Sequence, residues 1–339
     1  MNRGRLLAAI AGLALAACGV ATSGCARSPM LVLDATVDGG SEVRWLAGDS
    51  LIAVALLGRG VAIVDAESGE ERAAWRLPTL PAHVAHGLAV SAGGETLAVA
   101  TNDTIRVLRA RTAAQLAAFP GGGQALALSG DGRLLAWSDG TLGRVVDTRD
   151  GRALTQLFML VGRNGLVWSP DDGSFAWTDV RQLQFLATSS GLGGKADSVG
   201  AGGGRGEPTA DLGPFVDARP TQLVYSANGR TLAVAESTDY VSFWDTRLRR
   251  IGWRLRLGGR ARFERMAMSA DTWYLATTYE GRARILWAYT GRGVADWSPH
   301  AGAAVRDMAF SRDGRRLATV GADGHVRVWQ VPPPRPEHR

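Results

Sequence analysis

Histidine, the side chain most used for acid–base and metal chemistry, is scarce in this chain: His83, His86, His300, His325 and His338 are its five. A metal centre needs several His, Asp, Glu or Cys side chains converging on one point. His83 and His86 are three residues apart, and in an extended segment that spacing sends them to opposite faces. No Gly-x-Ser-x-Gly elbow is present, and no Ser/His/acid set stands out. Gly200-Ala201-Gly202-Gly203-Gly204-Arg205-Gly206 is rich in glycine, but it opens no helix and lacks a following Lys-Ser/Thr pair. It therefore does not read as a phosphate cradle. The expectation is a non-catalytic protein with no metal ligands and no cofactor.

One residue near the N-terminus does carry a chemical signal. Arg3 and Arg5 precede an apolar run from Leu6 to Ala17, and Leu15-Ala16-Ala17-Cys18 follows. That run is too short to span a bilayer as a permanent helix and suits a removed export signal. The four residues resemble a bacterial lipobox. The resemblance implies a signal peptide over residues 1–17, a diacylglyceryl group on the Cys18 thiol, and a flexible tether over residues 18–29. The competing reading is an ordinary signal peptide cut nearby, which would remove Cys18. Cys25 lacks the upstream Leu and, with Cys18 acylated, has no intramolecular partner, so the fold must stand without disulfides. Gly19, rather than Asp, follows the modified Cys. By the same resemblance the chain goes to the periplasmic face of an outer membrane in a Gram-negative host.

The elements behind these residues are repeats. Val305 to Gln330 reads VRDMAFSRDGRRLATVGADGHVRVWQ, two short strands split by a turn, then an Asp323-Gly324 turn and a third strand. Fainter copies recur roughly every 40 residues, the period of a stacked four-stranded unit. The apolar residue closing the first strand falls at Trp45, Val90, Leu128, Trp168, Tyr225, Met268 and Phe310. A second ladder, near the end of the third strand, falls at Val64, Leu108, Val146, Phe185, Trp244, Trp287 and Trp329. The pattern resembles the WD-repeat (tryptophan–aspartate) family. It implies an all-β, seven-bladed propeller of four-stranded antiparallel blades over residues 30–331, followed by a Pro-rich tail over 332–339. Pro332-Pro333-Pro334 cannot supply an outer strand to the last blade, so Met30 to Val37 is expected to cross over and close the ring. A tetrad is also implied, with His300 bonded to Thr319 and Trp329 and helped by Asp323, in a structural role. Trp168 to Asp179 looks like a blade of the Tol-system type, but only this repeat has that form. Two Ser/Thr-Gly turns with a following Trp, at Trp75 and Trp297, fit quinone-cofactor blades poorly because the gap is six residues.

One step, from Trp168 to Tyr225, is longer than the others. Its excess lies in Ser189 to Pro214, where glycines argue for a mobile loop after the third strand of blade four. The net charge of +6 is almost all arginine, with Lys195 the only lysine, and is scattered. Nucleic-acid binding would need a basic stripe with interleaved aromatics, so it is not expected. The family resemblance points instead to a ring of positions four residues before each anchor, on the narrow face: Ser41, His86, Gln124, Asn164, Thr221, Glu264 and Arg306. Tyr279, Ser138 and Thr178 join that rim, and Trp273-Tyr274 forms a second candidate on the opposite face. The expectation is a monomeric, lipid-anchored propeller serving as a platform for protein partners in the cell envelope. The alternative is a propeller that binds or hydrolyses a small ligand or glycan at its central channel.

Overall fold

Segments such as Leu51–Leu56 (LIAVAL) and Gly60–Asp65 (GVAIVD) are apolar without alternation, so as strands they need cover on both faces. Glu71–Arg76, the next strand out, is half exposed. The computed structural model describes residues 28–76, 87–101, 103–123, 125–158, 165–178, 182–187, 210–211, 220–257 and 264–333. Its strands form seven antiparallel sheets of four strands each. The innermost strands are Gly40–Trp45, Gly87–Val90, Ala125–Leu128, Leu166–Trp168, Pro220–Tyr225, Met266–Met268 and Val305–Phe310. Each touches the next, and the last returns to the first, so the sheets surround a central channel. This is the seven-bladed propeller the repeats predict, and every apolar anchor of the first ladder is the last residue of an innermost strand.

Closure follows the expected route. Met30–Thr36 pairs antiparallel with His325–Gln330 and supplies the outer strand of blade seven. The Asp34 carboxylate accepts a hydrogen bond from Arg327 Nε at 3.0 Å and sits 2.6 Å from His325 Nδ1, fixing the register. Blade four differs from expectation. Its outer strand is only Ala210–Asp211, paired with Gln182 and Leu183, so part of the Gly-rich stretch returns to the sheet. The remainder of that stretch, Cys18 and residues 334–339 of the C-terminal tail lie outside the described residues.

The apolar core is divided into seven clusters, and each draws on two neighbouring blades. Ile52 and Val54 of blade one pack with Val326 and Val328 of blade seven, for example. No blade owns a core, which is why one repeat cannot stand alone.

The turn between the first two strands of every blade needs a left-handed residue four places after the anchor. Glycine fills it four times, as at Gly314 (φ 69°), but Asp49 (φ 53°), Asp172 (φ 57°) and Thr272 (φ 64°) fill it in the other three blades. The two aspartates put the costly conformation to use. Asp172 accepts the N–H groups of Gly130 and Asp131 in blade three, and Asp49 accepts those of Arg312 and Asp313 in blade seven. The anchors of the same two blades repeat the direction: Trp168 donates to the Ala127 carbonyl and Trp45 to that of Ala309. Blades one and four are thus stapled backward by a Trp and an Asp four residues apart.

Candidate functional site

The two ends of the ring are chemically distinct. At the entry end the innermost strands begin; at the hairpin end lie the turns joining strands one to two and three to four. Near the entry end, the residue three places before the anchor reaches forward to the next blade. Glu42 accepts Leu88 N–H, Gln222 both accepts Met266 N–H and donates to its carbonyl, and Asp307 accepts Val43 N–H. Arg265 donates to the Arg306 carbonyl, and Arg306 in turn to that of Gly40. Blades two, three and four have Gly87, Ala125 and Gly165 at this position and so make no such contact. These clamps therefore run from blade five through blades six, seven and one to blade two.

Arg44 enters the same network, pairing with Asp307 and, at 3.5 Å, with Glu42. Burial opposes its charge, yet the two carboxylates hold its pKa above the ordinary value. Below this polar end the channel is a cavity of about 380 Å³, walled by residues such as Leu126, Trp168, Met268 and Phe310. Tyr225 also lines it, and burial pushes its phenol up to about 12, so it stays un-ionised.

The rim positions read from the sequence separate into three groups. Thr221 and Glu264 are exposed, Arg306 and Tyr279 half-buried, and Ser41 buried. Ser41 and Thr221 spend their hydroxyls on Ala55 and Ala235 carbonyls, each at 3.2 Å, so Ser41 does not present its side chain to a partner. Ser138 and Thr178 are likewise buried. His86, Gln124 and Asn164 lie outside the described residues. Trp273 and Tyr274 cover the seam between blades six and seven: Tyr274 is buried, donates to the Pro332 carbonyl and stacks on Trp287, which Trp273 meets edge-on.

A cluster around Tyr279 escaped the sequence reading. The Tyr279 hydroxyl donates to Asp296 at 2.8 Å, Arg282 and Arg284 bind the same carboxylate, and the Arg284 guanidinium lies 4.8 Å from the Tyr279 ring centre. Burial works against the Asp296 charge, but Tyr279 and Arg282 keep its pKa below the ordinary value. The only sequence signal is Arg-x-Arg on the third strand, which pairing sets opposite Asp296 on the fourth.

His300, Thr319, Asp323 and Trp329 are brought together. His300 Nδ1 is 2.9 Å from Asp323, its Nε2 is 3.0 Å from the Thr319 hydroxyl, and Trp329 donates to that hydroxyl at 3.0 Å. Burial lowers the His300 pKa despite Asp323, so the ring is neutral at pH 7. In blade five, Val234 stands where Thr319 does in blade seven, and the Trp244 indole N–H has no hydrogen-bond partner among the described residues.

Residues 291–330 match the family described as WD domain, G-beta repeat. The match and the seven-bladed ring support a WD-repeat propeller. The matched repeat holds the tetrad described above. The propeller is also similar to a chain in the crystal structure of the mitotic checkpoint complex: 18% identity, TM-score 0.69, over 94% of this chain and 99% of that one. At that identity the likeness shows the fold alone. No curated protein matches the chain.

Proposed function

We propose that this WD-repeat propeller is a non-catalytic platform for protein partners, held to the cell envelope by a lipid on Cys18. The observation that carries the platform reading is the entry-end rim. Exposed Glu264 precedes the innermost strand of blade six, half-buried Tyr279 ends that blade's second strand, and half-buried Arg306 lies at the start of the innermost strand of blade seven, each held by hydrogen bonds to neighbouring strands. Arg and Tyr are residue types enriched at interface anchors, and a rigid rim offers them without ordering cost. The similar chain noted above belongs to a protein complex, and the WD-repeat match points the same way. The lipid reading rests on the lipobox-like Leu15-Ala16-Ala17-Cys18.

The test is crosslinking in intact cells followed by purification and mass spectrometry of co-purified proteins. A reproducible envelope partner is expected, lost in the Glu264→Ala, Arg306→Ala, Tyr279→Ala triple variant while that variant stays folded, at a somewhat lower melt because Arg306 and Tyr279 also hold blade contacts. Unchanged capture by that variant removes the rim as the site.

A second reading is favoured by the channel cavity, whose volume falls within the ordinary range for ligand pockets. In that reading a small molecule enters beside Arg44 and Gln222 and is held by the apolar wall. A preparation free of protein partners but retaining a bound metabolite would support it.

A further inference from the structure

Exposed hydrophobics scattered singly over a protein need no explanation. Here they are segregated. Among the described residues, Met30, Leu31, Val32, Leu116, Leu248 and Tyr289 are exposed in the hairpin-end half of the ring, against Leu57 alone at the entry end. Leu248 and Tyr289 are each 58% exposed and sit on the third-to-fourth-strand hairpins of adjacent blades five and six. Tyr289 is the outermost ring of a stack, 4.6 Å from Trp253, which lies 4.5 Å from buried Phe243. The hairpins are tied into one surface. Trp253 donates to the Ala288 carbonyl, Thr246 N–H to that of Arg230, and Ala227 N–H to that of Ala270.

That surface is also positively charged. Arg230, Arg247, Arg250 and Arg292 are exposed on it, and none forms an ion pair among the described residues. Its carboxylates, Asp245, Asp271 and Asp313, are turned into their own loops: Asp245 accepts the N–H groups of Arg247 and Leu248, Asp271 that of Trp273, and Asp313 that of Arg315. The chain leading to Cys18 meets the ring at the same end, because Met30 pairs with Gln330 beside the Ser311–Arg315 turn. The stretch from Gly19 to Pro29 spans at most about 40 Å even when fully extended.

We infer that the hairpin end of blades five to seven rests on an anionic membrane surface. Leu248, Tyr289 and Met30 to Val32 enter the headgroup layer, and the four arginines bind lipid phosphates. The entry end, with Glu264 and Tyr279, then faces away from the bilayer. The orientation rests on the proposed lipid at Cys18, whereas the chemistry of the surface stands without it.

The test places a nitroxide label at Leu248→Cys or at Leu57→Cys in the full chain carrying Cys25→Ser. Vesicles of phosphatidylcholine, with or without phosphatidylglycerol, are added, and collision rates with oxygen and with a water-soluble nickel complex report immersion. The label at 248 should be lipid-immersed on anionic vesicles only, and the label at 57 should stay in water. The combined Arg230→Gln, Arg247→Gln, Arg250→Gln, Arg292→Gln variant should lower the immersed fraction, each arginine being worth about fivefold at an anionic surface. Equal water exposure of both labels overturns the inference. So does protection of 248 that appears only with added envelope protein, which assigns the face to a protein partner. Mass measurement of the N-terminal peptide reports the lipid separately. Where Cys18 carries no lipid its free thiol would also take the label, so the labels at 248 and 57 are then placed in a chain that carries Cys18→Ser as well, and the result at 248 reads the surface alone.

Discussion

Asp172 shows how one residue turns backbone strain into contact. A non-glycine residue at φ 57° costs roughly 1 kcal/mol, and here its carboxylate recovers that by holding two N–H groups of the preceding blade. Two substitutions separate the terms. Asp172→Ala keeps the strain and loses the staple, and should destabilise by about 2–3 kcal/mol. Asp172→Gly loses the staple but relieves the strain, and should cost about 1 kcal/mol less. Chemical denaturation reads both; equal losses would mean that the left-handed turn carries no strain. Trp244 shows the reverse situation: its indole is buried, and with Val234 where blade seven has Thr319 its N–H meets no acceptor among the described residues.

Among the elements, the closing strand has the largest consequence. Without Met30–Thr36, the strand His325–Gln330 would expose an unpaired edge and Leu33 would leave the core shared by blades seven and one. Deleting residues 30–37 should lower the melting temperature sharply and favour aggregation; a melt unchanged by the deletion would show that the ring closes by other means. This strand was legible in the sequence because proline ends the last repeat one strand short, and the anchors Trp45 to Phe310 marked the innermost strands to the residue. Ala210–Asp211 was not legible, since two residues carry no periodicity and glycine-rich flanks argue against a strand. The Tyr279 cluster was hidden for a different reason: its charges lie on separate strands, and only the register joins Arg284 to Asp296. Burial of Ser41 was equally invisible, because a polar residue before a strand reads the same whether it faces water or a carbonyl.

At the scale of the whole molecule, pH acts through a few groups. His300 has its pKa lowered from 6.5, chiefly by burial, so the unfolded chain binds the proton more readily. Its contribution to stability is complete above about pH 6.5 and declines as pH falls below it. Asp323, Asp313 and Asp296 have pKa values lowered from 3.8, so their contributions persist above that value and disappear below it. Melting temperature measured from pH 8 to pH 3 should therefore fall in two stages, and His300→Gln should flatten the first. A first stage unaltered by that substitution would assign it to another group.

Pairing Asp34 with His325 and Arg327 joins residues about 290 positions apart, a loop whose closure costs on the order of 5 kcal/mol in chain entropy. It also sets an order in time. Met30–Thr36 leaves the ribosome long before His325–Gln330, the strand it pairs with among the described residues, and must wait for it. A chain terminated before residue 325 is left with Met30–Thr36 unpaired, however many blades it has formed. The join thus works as a completeness check, leaving an apolar strand in reach of chaperones and proteases until the final repeat arrives.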